Sequence, residues 1–405
     1  MGRFVLCRRA NVTVTITVCV LGWLAGWIAM GRPRRVAHLQ AVTGESGRDG
    51  LRGVTIVVPA RDEEASIDTL LSGLCDPTCD VTPPDRIVVV DDHSRDRTAT
   101  LARAHVDVEV LDAPALPDDW TGKSWACHTG AVHTERSGGV GPRPDPGSPH
   151  PASSNDDVLV FLDADVQLDR SSLARVVAQR DRQGGLVSVQ PWHETKRWYE
   201  QLSCLFNVLA VMGTAAGSRS DANGAFGPVL VTSRSDYDRV GGHGSVRTEV
   251  IEDLALAAGY RSAGMPVELF TGARSIRFRM YPTGPRQLVE GWTKNFAAGA
   301  GSTRVGRLVL IVLWVTCLSS ATLALDNALR GDMALPVGVA LYLAFAAQLM
   351  VMFRQVGNFS PLTALAFPIP LVFFGVIFCR SLWRTHVRHS VTWRGREIST
   401  VPDRG

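Results

Sequence analysis

The chain has 405 residues, more than the roughly 100–200 of a typical single domain, so more than one structural unit is expected. Its 42 Lys and Arg nearly balance its 39 Asp and Glu, for a net charge of +3, which argues against a general nucleic-acid partner. The 8 cysteines are scattered. Cys75 and Cys79 form a C-x3-C pair with no second such pair and no spaced histidine pair, so they read as ordinary thiols rather than a zinc site.

Residues 11–30, NVTVTITVCVLGWLAGWIAM, are apolar and uncharged. That matches the roughly 20 residues a helix needs to cross a bilayer. The run is long for the apolar part of a signal peptide and no small-x-small cleavage site follows it, so it reads as an uncleaved anchor. Arg8, Arg9, Arg32, Arg34 and Arg35 flank both ends, so local charge does not set its orientation.

Alternating strands and helices follow. VTIVVP (54–59) is a short buried strand, after which Ile67, Leu70, Leu71 and Leu74 recur at helical spacing. RIVVV (86–90) is a second strand, followed by the helix-like RTATLARAH. The Pro-, Gly- and Ser-rich stretch 137–157 reads as a mobile surface loop. VLVFL (158–162) is the next strand, and the helix after it is expected to be N-capped by Ser171 or Ser172. GLVSV (185–189) is one more strand. Such alternation implies a mainly parallel sheet covered on both faces, which binds ligands beyond the carboxyl ends of its strands.

The acids fall at those ends. Asp62, Glu63 and Glu64 follow the first strand, Asp91 and Asp92 the second, and Asp163 and Asp165 the third. Gathered carboxylates repel one another unless a cation or ligand donors offset them. In an extended segment residues i and i+2 share a face, so Asp163 and Asp165 are expected to converge on one divalent ion. Mg²⁺ or Mn²⁺ takes such hard oxygen ligands and commonly shares its shell with substrate phosphates.

VVPARDEE, VVVDDHSRDRT, LDADV and IEDLALAAGYRSAG resemble the ordered motifs of family-2 inverting glycosyltransferases. WTGKSWAC (120–127), FRMYPTGPRQLVEGWTKNFAAGA (278–300) and VTWRGREI (391–398) are similar to the membrane-bound diaponeurosporenoate glycosyltransferases of carotenoid synthesis. Hopanoid-associated and ceramide glucosyltransferases are more distant likenesses. The resemblance covers roughly residues 53–300 plus the tail. It implies an α/β Rossmann-like nucleotide-sugar-binding domain of the GT-A type, with an N-terminal transmembrane anchor and C-terminal transmembrane helices.

The resemblance also implies roles. Pro59, Glu63, Asp91 and Asp92 line the nucleoside, and Lys123 reaches the nucleotide. Asp163 serves the ribose–diphosphate and, with Asp165, the metal. Glu252 and Asp253 open an apolar helical stretch, where acids also suit the helix dipole. An inverting transfer needs a base for the acceptor hydroxyl. The family's Glu-Asp motif makes Asp253 that base, with Glu252 as local support.

Processive relatives carry Gln-x-x-Arg-Trp, but here the stretch runs from Gln287 to Trp292 with no arginine, which argues against a polysaccharide synthase. Leu288, Trp292 and Phe296 form one stripe, read as an interfacial helix over 286–300 with Trp292 at the acceptor side. Lys294 either approaches the diphosphate or pairs with Glu290. Arg277 and Arg279 are further cationic candidates. The stretch 201–217 reads as an interfacial helix lining the acceptor entrance, with an added span as its alternative, and 223–242 as an acceptor-side floor.

Three more apolar runs, 308–325, 335–353 and 361–379, give a membrane bundle of two to three spans over 308–379. The last contains Pro361, Pro368 and Pro370, so it is the first suspect for a kinked or re-entrant segment. The basic tail 380–405, with Trp393, Arg394 and Arg396, looks suited to close over an anionic donor. Nucleotide sugars are cytosolic, so the catalytic region is expected on the cytoplasmic side of the plasma membrane. Three full late spans would put the tail on the other side, a conflict between topology and chemistry. The expected partners are a nucleotide-sugar donor, UDP-glucose or a close relative, a lipid-like acceptor and the membrane. The rivals are a polysaccharide synthase or polyprenyl-linked sugar transferase, and a membrane-anchored nucleotide-sugar-binding protein without turnover.

Overall fold

The computed structural model describes residues 2–39, 49–137, 157–218, 223–249, 251–301, 303–384, 390–393 and 396–399. The expected loop 137–157 lies outside them except at its two ends, as does Arg394. The chain divides into two compact units. One comprises Arg34–Trp192 and Gly224–Met280, the other Met1–Pro33, His193–Asn223 and Tyr281–Gly405. The boundary differs from the expected 53–300, because 193–223 and 281–300 group with the apolar helices.

Helix α1 (Gly2–Met30) belongs to the helical unit. In the sheet unit, β1 (Val54–Ala60), α2 (Ile67–Leu74), β2 (Arg86–Asp91), α3 (Thr98–Arg103), β3 (Val108–Asp112) and α4 (Gly122–Ser137) come first. Then follow β4 (Val158–Leu162), β5 (Val166–Gln167), α5 (Arg170–Gln183) and β6 (Leu186–Gln190), and β7 (Trp192–His193) begins at the unit's last residue here, Trp192. After α6 (Cys204–Gly213) of the helical unit, the sheet unit resumes with β8 (Val229–Ser233), α7 (Arg234–Arg239), α8 (Glu252–Ser262), β9 (Val267–Thr271) and β10 (Arg277–Phe278).

The main sheet has the order β3-β2-β1-β4-β8-β6-β9. Its pairs are parallel except those of β8, which runs antiparallel to both β4 and β6. Side chains alternate across it. Val54, Ile56 and Val58 face a core shared with α2 and α5, whereas Val57 faces one shared with α4 and α8. Both faces are therefore covered, and each fully buried Val or Leu contributes about 1.5–3 kcal/mol. Helix α5 begins one residue before the expected caps. Asp169 caps it instead, its carboxylate accepting the Ser172 N–H at 2.7 Å.

The helical unit continues with α9 (Pro285–Gly301), α10 (Val305–Leu329), α11 (Leu335–Val356), α12 (Pro361–Leu365), α13 (Pro368–Trp383) and an antiparallel hairpin of β11 (Ser390–Trp393) and β12 (Arg396–Ser399). Among the described residues, three stretches are long and apolar enough to cross a membrane: Val12–Met30, Val305–Leu329 and Leu335–Val356. Two expectations change here. The stretch 201–217 is a 3₁₀ turn (Trp198–Ser203) followed by α6, whose side chains from Cys204 to Leu209 are all buried. At 10 residues α6 is too short to span a bilayer, and with its side chains buried on every side it does not lie exposed at an interface. Likewise Trp292 of α9 is buried. Its ring stacks on Phe206 at 4.6 Å and its Nε1–H donates to Ser203 Oγ at 3.0 Å, so it is an internal anchor, not an interfacial one.

A polar clasp joins the three long helices. Trp314 Nε1 donates to Gln348 Oε1 at 2.8 Å, Gln348 Nε2 donates to the Trp23 carbonyl at 2.7 Å, and Trp23 Nε1 donates to the Ala344 carbonyl at 3.1 Å. Gly26 makes room for it: a Cβ there would stand 2.3 Å from Trp314 Cδ1. Gln348→Leu leaves the buried Trp314 N–H without its acceptor, which costs about 1–3 kcal/mol. The variant is expected to lose several degrees of thermal stability in detergent, read by tryptophan fluorescence, without loss of donor binding at temperatures where it stays folded.

Candidate active site

The carboxyl ends of β1, β2 and β4 lie side by side, with Ala60 opposite Asp91 and Val57 opposite Phe161. Beyond them the chain makes two tight turns in which Asp62 and His93 adopt φ of 52° and 57°. Asp and His tolerate that left-handed region better than most residues. The turns are laced together. Asp62 N–H donates to Ser94 Oγ at 3.0 Å, Arg95 N–H donates to Asp62 Oδ1 at 2.8 Å, and Glu63 N–H donates to Thr98 Oγ1 at 2.7 Å. Arg61 donates to the Asp92 carbonyl at 2.7 Å and approaches its carboxylate at 3.4 Å. Arg61, Ser94 and Thr98 therefore hold the platform, although charge pattern alone singled out only the acids.

Asp91 and Asp92 are both buried. Asp91 Oδ2 accepts the Ser94 N–H at 3.2 Å. Its Oδ1 is buried with no hydrogen-bond partner among the described residues. A buried carboxylate oxygen in that state is an open acceptor position for a ligand N–H or O–H. Glu63 is half-buried, and its carboxylate accepts from Ser66 Oγ at 3.0 Å. Pro59 lies within β1, opposite Val90.

Lys123 stands on the second residue of α4, not on an exposed loop. Its ammonium bridges Asp163 Oδ1 at 2.7 Å and Glu252 Oε1 at 3.1 Å. Burial works against that charge, yet Asp163 and then Glu252 outweigh it and hold the ammonium protonated, well above the usual lysine range. Glu252 is thus more than a helix start. It brings the first turn of α8 to the end of β4 through one shared lysine.

Asp253, beside it, accepts the Gly227 N–H at Oδ2 (2.6 Å) and the Leu254 N–H at Oδ1 (2.9 Å). Burial and then the Glu252 charge push its carboxyl above the ordinary carboxylate range, against the opposing pull of Lys123 and the two N–H donors. Further back is a histidine that sequence reasoning missed. His243 is fully enclosed, accepts from or donates to Tyr237 O–H at Nδ1 (2.9 Å), and packs edge-on to Phe161 at 4.7 Å. Burial pushes it down to about 3, so it is neutral packing behind Glu252 rather than a second cation.

Gly227 sits in the stretch expected as a floor, and its hydrogen carries a purpose. A Cβ there would come within 3.0 Å of Lys123 Nζ and 3.1 Å of Asp253 Oδ2. Gly227→Ala is expected to lower turnover about tenfold or more, because roughly an ångström of misplacement at a reacting group costs up to about 10²-fold. Nucleoside diphosphate affinity, measured by calorimetry, is expected to stay within a few-fold of wild type.

The segment Asp163–Val166 is a turn and not an extended strand, with Val166 N–H donating to the Asp163 carbonyl at 3.1 Å. The i, i+2 argument therefore does not apply in its strand form, although both Asp163 and Asp165 are half-exposed at the same sheet edge. Among the described residues no three His, Cys, Asp or Glu side chains come together as a complete metal site. Two hard carboxylates on one turn, without a closed protein cage, suit Mg²⁺ or Mn²⁺, which takes its remaining oxygens from phosphates and water.

Arg277 and Arg279 flank Phe278 of β10, which pairs with Val166 of β5, so this edge of the sheet unit runs beside the Asp163–Asp165 turn. Trp292 and Lys294 are on α9 of the helical unit. Glu290, one of the two alternatives for Lys294, has Arg286 at 3.2 Å. Trp393 and Arg396 are partners in the β11–β12 backbone register.

Residues 148–404 match the model of glycosyl transferase family 21, and residues 55–135 match that of glycosyl transferase family 2. The chain is similar to the 4,4'-diaponeurosporenoate glycosyltransferase of Staphylococcus aureus strain USA300, at 36% identity over 356 residues, 86% of this chain and 88% of that one. The same enzyme from strain MRSA252 is 35% identical over 356 residues, with the same coverage of 86% and 88%. Among solved structures, a mannosyltransferase of Pyrobaculum calidifontis in complex with GDP-Man and Mn²⁺ aligns over 93% of this chain and 96% of its own, at 18% identity and a TM-score of 0.47. Glucosyl-3-phosphoglycerate synthase of Mycobacterium tuberculosis, with Mn²⁺, UDP and phosphoglyceric acid, aligns over 68% of this chain and 88% of its own, at 17% identity and a TM-score of 0.41.

Proposed function

Because the chain belongs to the glycosyl transferases of families 2 and 21, in the group that includes the diaponeurosporenoate glycosyltransferases, we propose that it moves a hexose, with inversion, from a nucleotide-sugar donor such as UDP-glucose to a membrane lipid or carotenoid-like acceptor. The observation that carries this reading is the junction Lys123–Asp163–Glu252 with Asp253 fixed beside it at the sheet's carboxyl edge. One cation and several carboxylates are brought together there, where a diphosphate leaving group and an attacking oxygen need opposite kinds of help.

Each residue has a task in that reaction. Asp91 Oδ1 is an open acceptor in a buried place. Uracil would offer it an N3–H, as cytosine would an N4–H and guanine an N1–H, so the open acceptor fits a nucleotide donor without choosing its base. Pro59, Glu63 and Asp92 complete the wall around the nucleoside. Asp163 and Asp165 would hold the divalent ion, which neutralises charge developing on the diphosphate when bound. Lys123 adds a fixed positive charge to the same end of the sheet. Asp253 takes the proton when the attacking oxygen carries one, and its raised carboxyl makes it a stronger base than an exposed aspartate. The three long apolar helices keep the enzyme in the membrane that holds such an acceptor. The reading places the sheet unit on the cytoplasmic face of the plasma membrane, where nucleotide sugars are found.

The test is transfer of label from UDP-[14C]glucose into the organic extract of membranes containing the protein. Lipid-soluble product is expected with UDP-glucose or a close UDP-hexose. Label in an insoluble polymer would make the protein a polysaccharide synthase, and label released only as free sugar would remove the transfer reading. Mild alkali then identifies the bond: a glycosyl ester to a carboxylate is cleaved and a glycoside of a hydroxyl is not.

A further inference from the structure

The segment from Ser360 to Ser381 starts and ends at the same place. At its start, Ser360 N–H and Thr363 Oγ1 both donate to Gln201 Oε1, at 2.8 and 2.9 Å. Just before it, Asn358 N–H donates to the His193 carbonyl at 3.1 Å and Asn358 Oδ1 accepts the Thr195 N–H at 2.7 Å. The carboxyl end of α11 is thus sewn to residues 193–201. At the far end, Ser381 Oγ donates to the Thr293 carbonyl at 2.7 Å. Thr293 adjoins Trp292, which is bonded to Ser203. Gln201 and Ser203 belong to one 3₁₀ turn, so both ends of the segment are tied to that turn.

Its middle lies elsewhere. Tyr342 O–H donates to the Leu365 carbonyl at 2.6 Å, and the Tyr342 ring stacks on Phe367 at 4.7 Å. Tyr342 is twelve residues before Arg354 on α11, which is about 18 Å along a helix axis. The chain therefore descends along α11, turns at Ala366–Phe367, and comes back along α13. Phe374 meets Phe206 at 5.4 Å on the way. Helix α13 has 16 residues, so at about 24 Å it is short of a hydrocarbon core of about 30 Å.

One face of the segment is left outward and apolar. Leu362, Leu365, Ile369, Val372 and Val376 recur at steps of three and four, with exposures of 73%, 46%, 65%, 67% and 60%. Pro370, Phe374, Ile377 and Ser381 face inward. No charge occurs from 361 to 379, and Arg380, Trp383 and Arg384 follow at the exit, the residue types favoured at a membrane–water boundary.

We propose that residues 361–383 form a re-entrant segment that enters one leaflet beside α11 and returns to the side it came from, with the outward stripe in contact with acyl chains. The chain then crosses the bilayer three times. The start of α10 stays with the end of α1, since Arg307 donates to the Ala29 carbonyl at 2.7 Å. The end of α11 therefore returns to the side on which α1 ends, and the chain beyond Trp383 emerges there too. That removes the conflict between a cytosolic donor and a basic tail on the opposite side. The inference uses the membrane placement of the long helices and makes no use of sugar transfer, so it stands or falls apart from the reaction.

Parity provides the test. Epitopes placed before Met1 and after Gly405 of the full-length protein are expected on opposite faces of the membrane, as read by antibody access in intact spheroplasts and inverted vesicles. Both epitopes on one face would mean four crossings and would overturn the proposal. In the same membranes, a phospholipid carrying a photoactivatable carbene precursor in its acyl chain is expected to label Leu362, Leu365, Ile369, Val372 and Val376 but not Phe374 or Ile377. Absence of label on that stripe, with cross-links between copies of the chain instead, would assign the face to a protein partner and overturn the lipid contact.

Discussion

Asp165→Ala is expected to lower sugar transfer by at least about 10³, since a metal acting on a leaving phosphate supplies several kcal/mol and each 1.36 kcal/mol is tenfold. The fold is expected to survive, because Asp165 is half-exposed on a turn and fills no part of either core. The companion measurement is binding. Wild-type protein is expected to bind UDP tightly with Mn²⁺ and weakly after exhaustive EDTA treatment, with Mg²⁺ or Mn²⁺ restoring it. Asp165→Ala is expected to bind UDP equally weakly in both conditions. Asp163→Ala differs in a way that separates the two acids: it also strips Lys123 of its nearer partner, so it is expected to lose UDP affinity even without metal. Wild-type turnover that survives EDTA would overturn the metal assignment for both.

Strands β1, β2, β4 and β6 were legible because they are buried runs rich in Val, Ile and Leu, whereas the parallel edge strands β3 and β9, only half-buried where they begin, were not named. β8 was not, since VLVTS lies in a stretch with no flanking helix signal and its place between β4 and β6 is set by pairing across the chain. The acids of the site were visible as types and order. Their grouping was not: that Lys123 joins Asp163 to Glu252 depends on contacts 40 and 129 residues away in sequence, and that Gly227 offers its N–H to Asp253 depends on a backbone group, which leaves no trace in side-chain pattern. Trp292 shows the opposite failure. Helical spacing gave a correct stripe with Leu288, but spacing cannot say whether a stripe meets lipid or the ring of Phe206.

Asp253→Asn is expected to keep UDP-sugar affinity within a few-fold and to lower transfer by something on the order of 10²–10⁴, the usual range for losing a general base. Asparagine still fills the place against Gly227 and Leu254 but cannot take a proton. Glu252→Gln is expected to be milder in rate and to move the pH profile. Burial and then Glu252 raise the Asp253 carboxyl, so removing the Glu252 charge lowers it and shifts the acid limb of kcat/KM to lower pH. Lys123→Met removes a charge that lowers it, so the limb is expected to shift to higher pH. Asp253→Asn has no such limb to move. Rates over pH for the four proteins with one lipid acceptor decide the matter. A fully active Asp253→Asn with a dead Glu252→Gln would exchange the two roles. A small loss in Asp253→Asn together with an alkali-labile product would mean that the attacking oxygen belongs to a carboxylate and arrives already deprotonated, leaving Asp253 to hold Gly227 and the end of α8 in place.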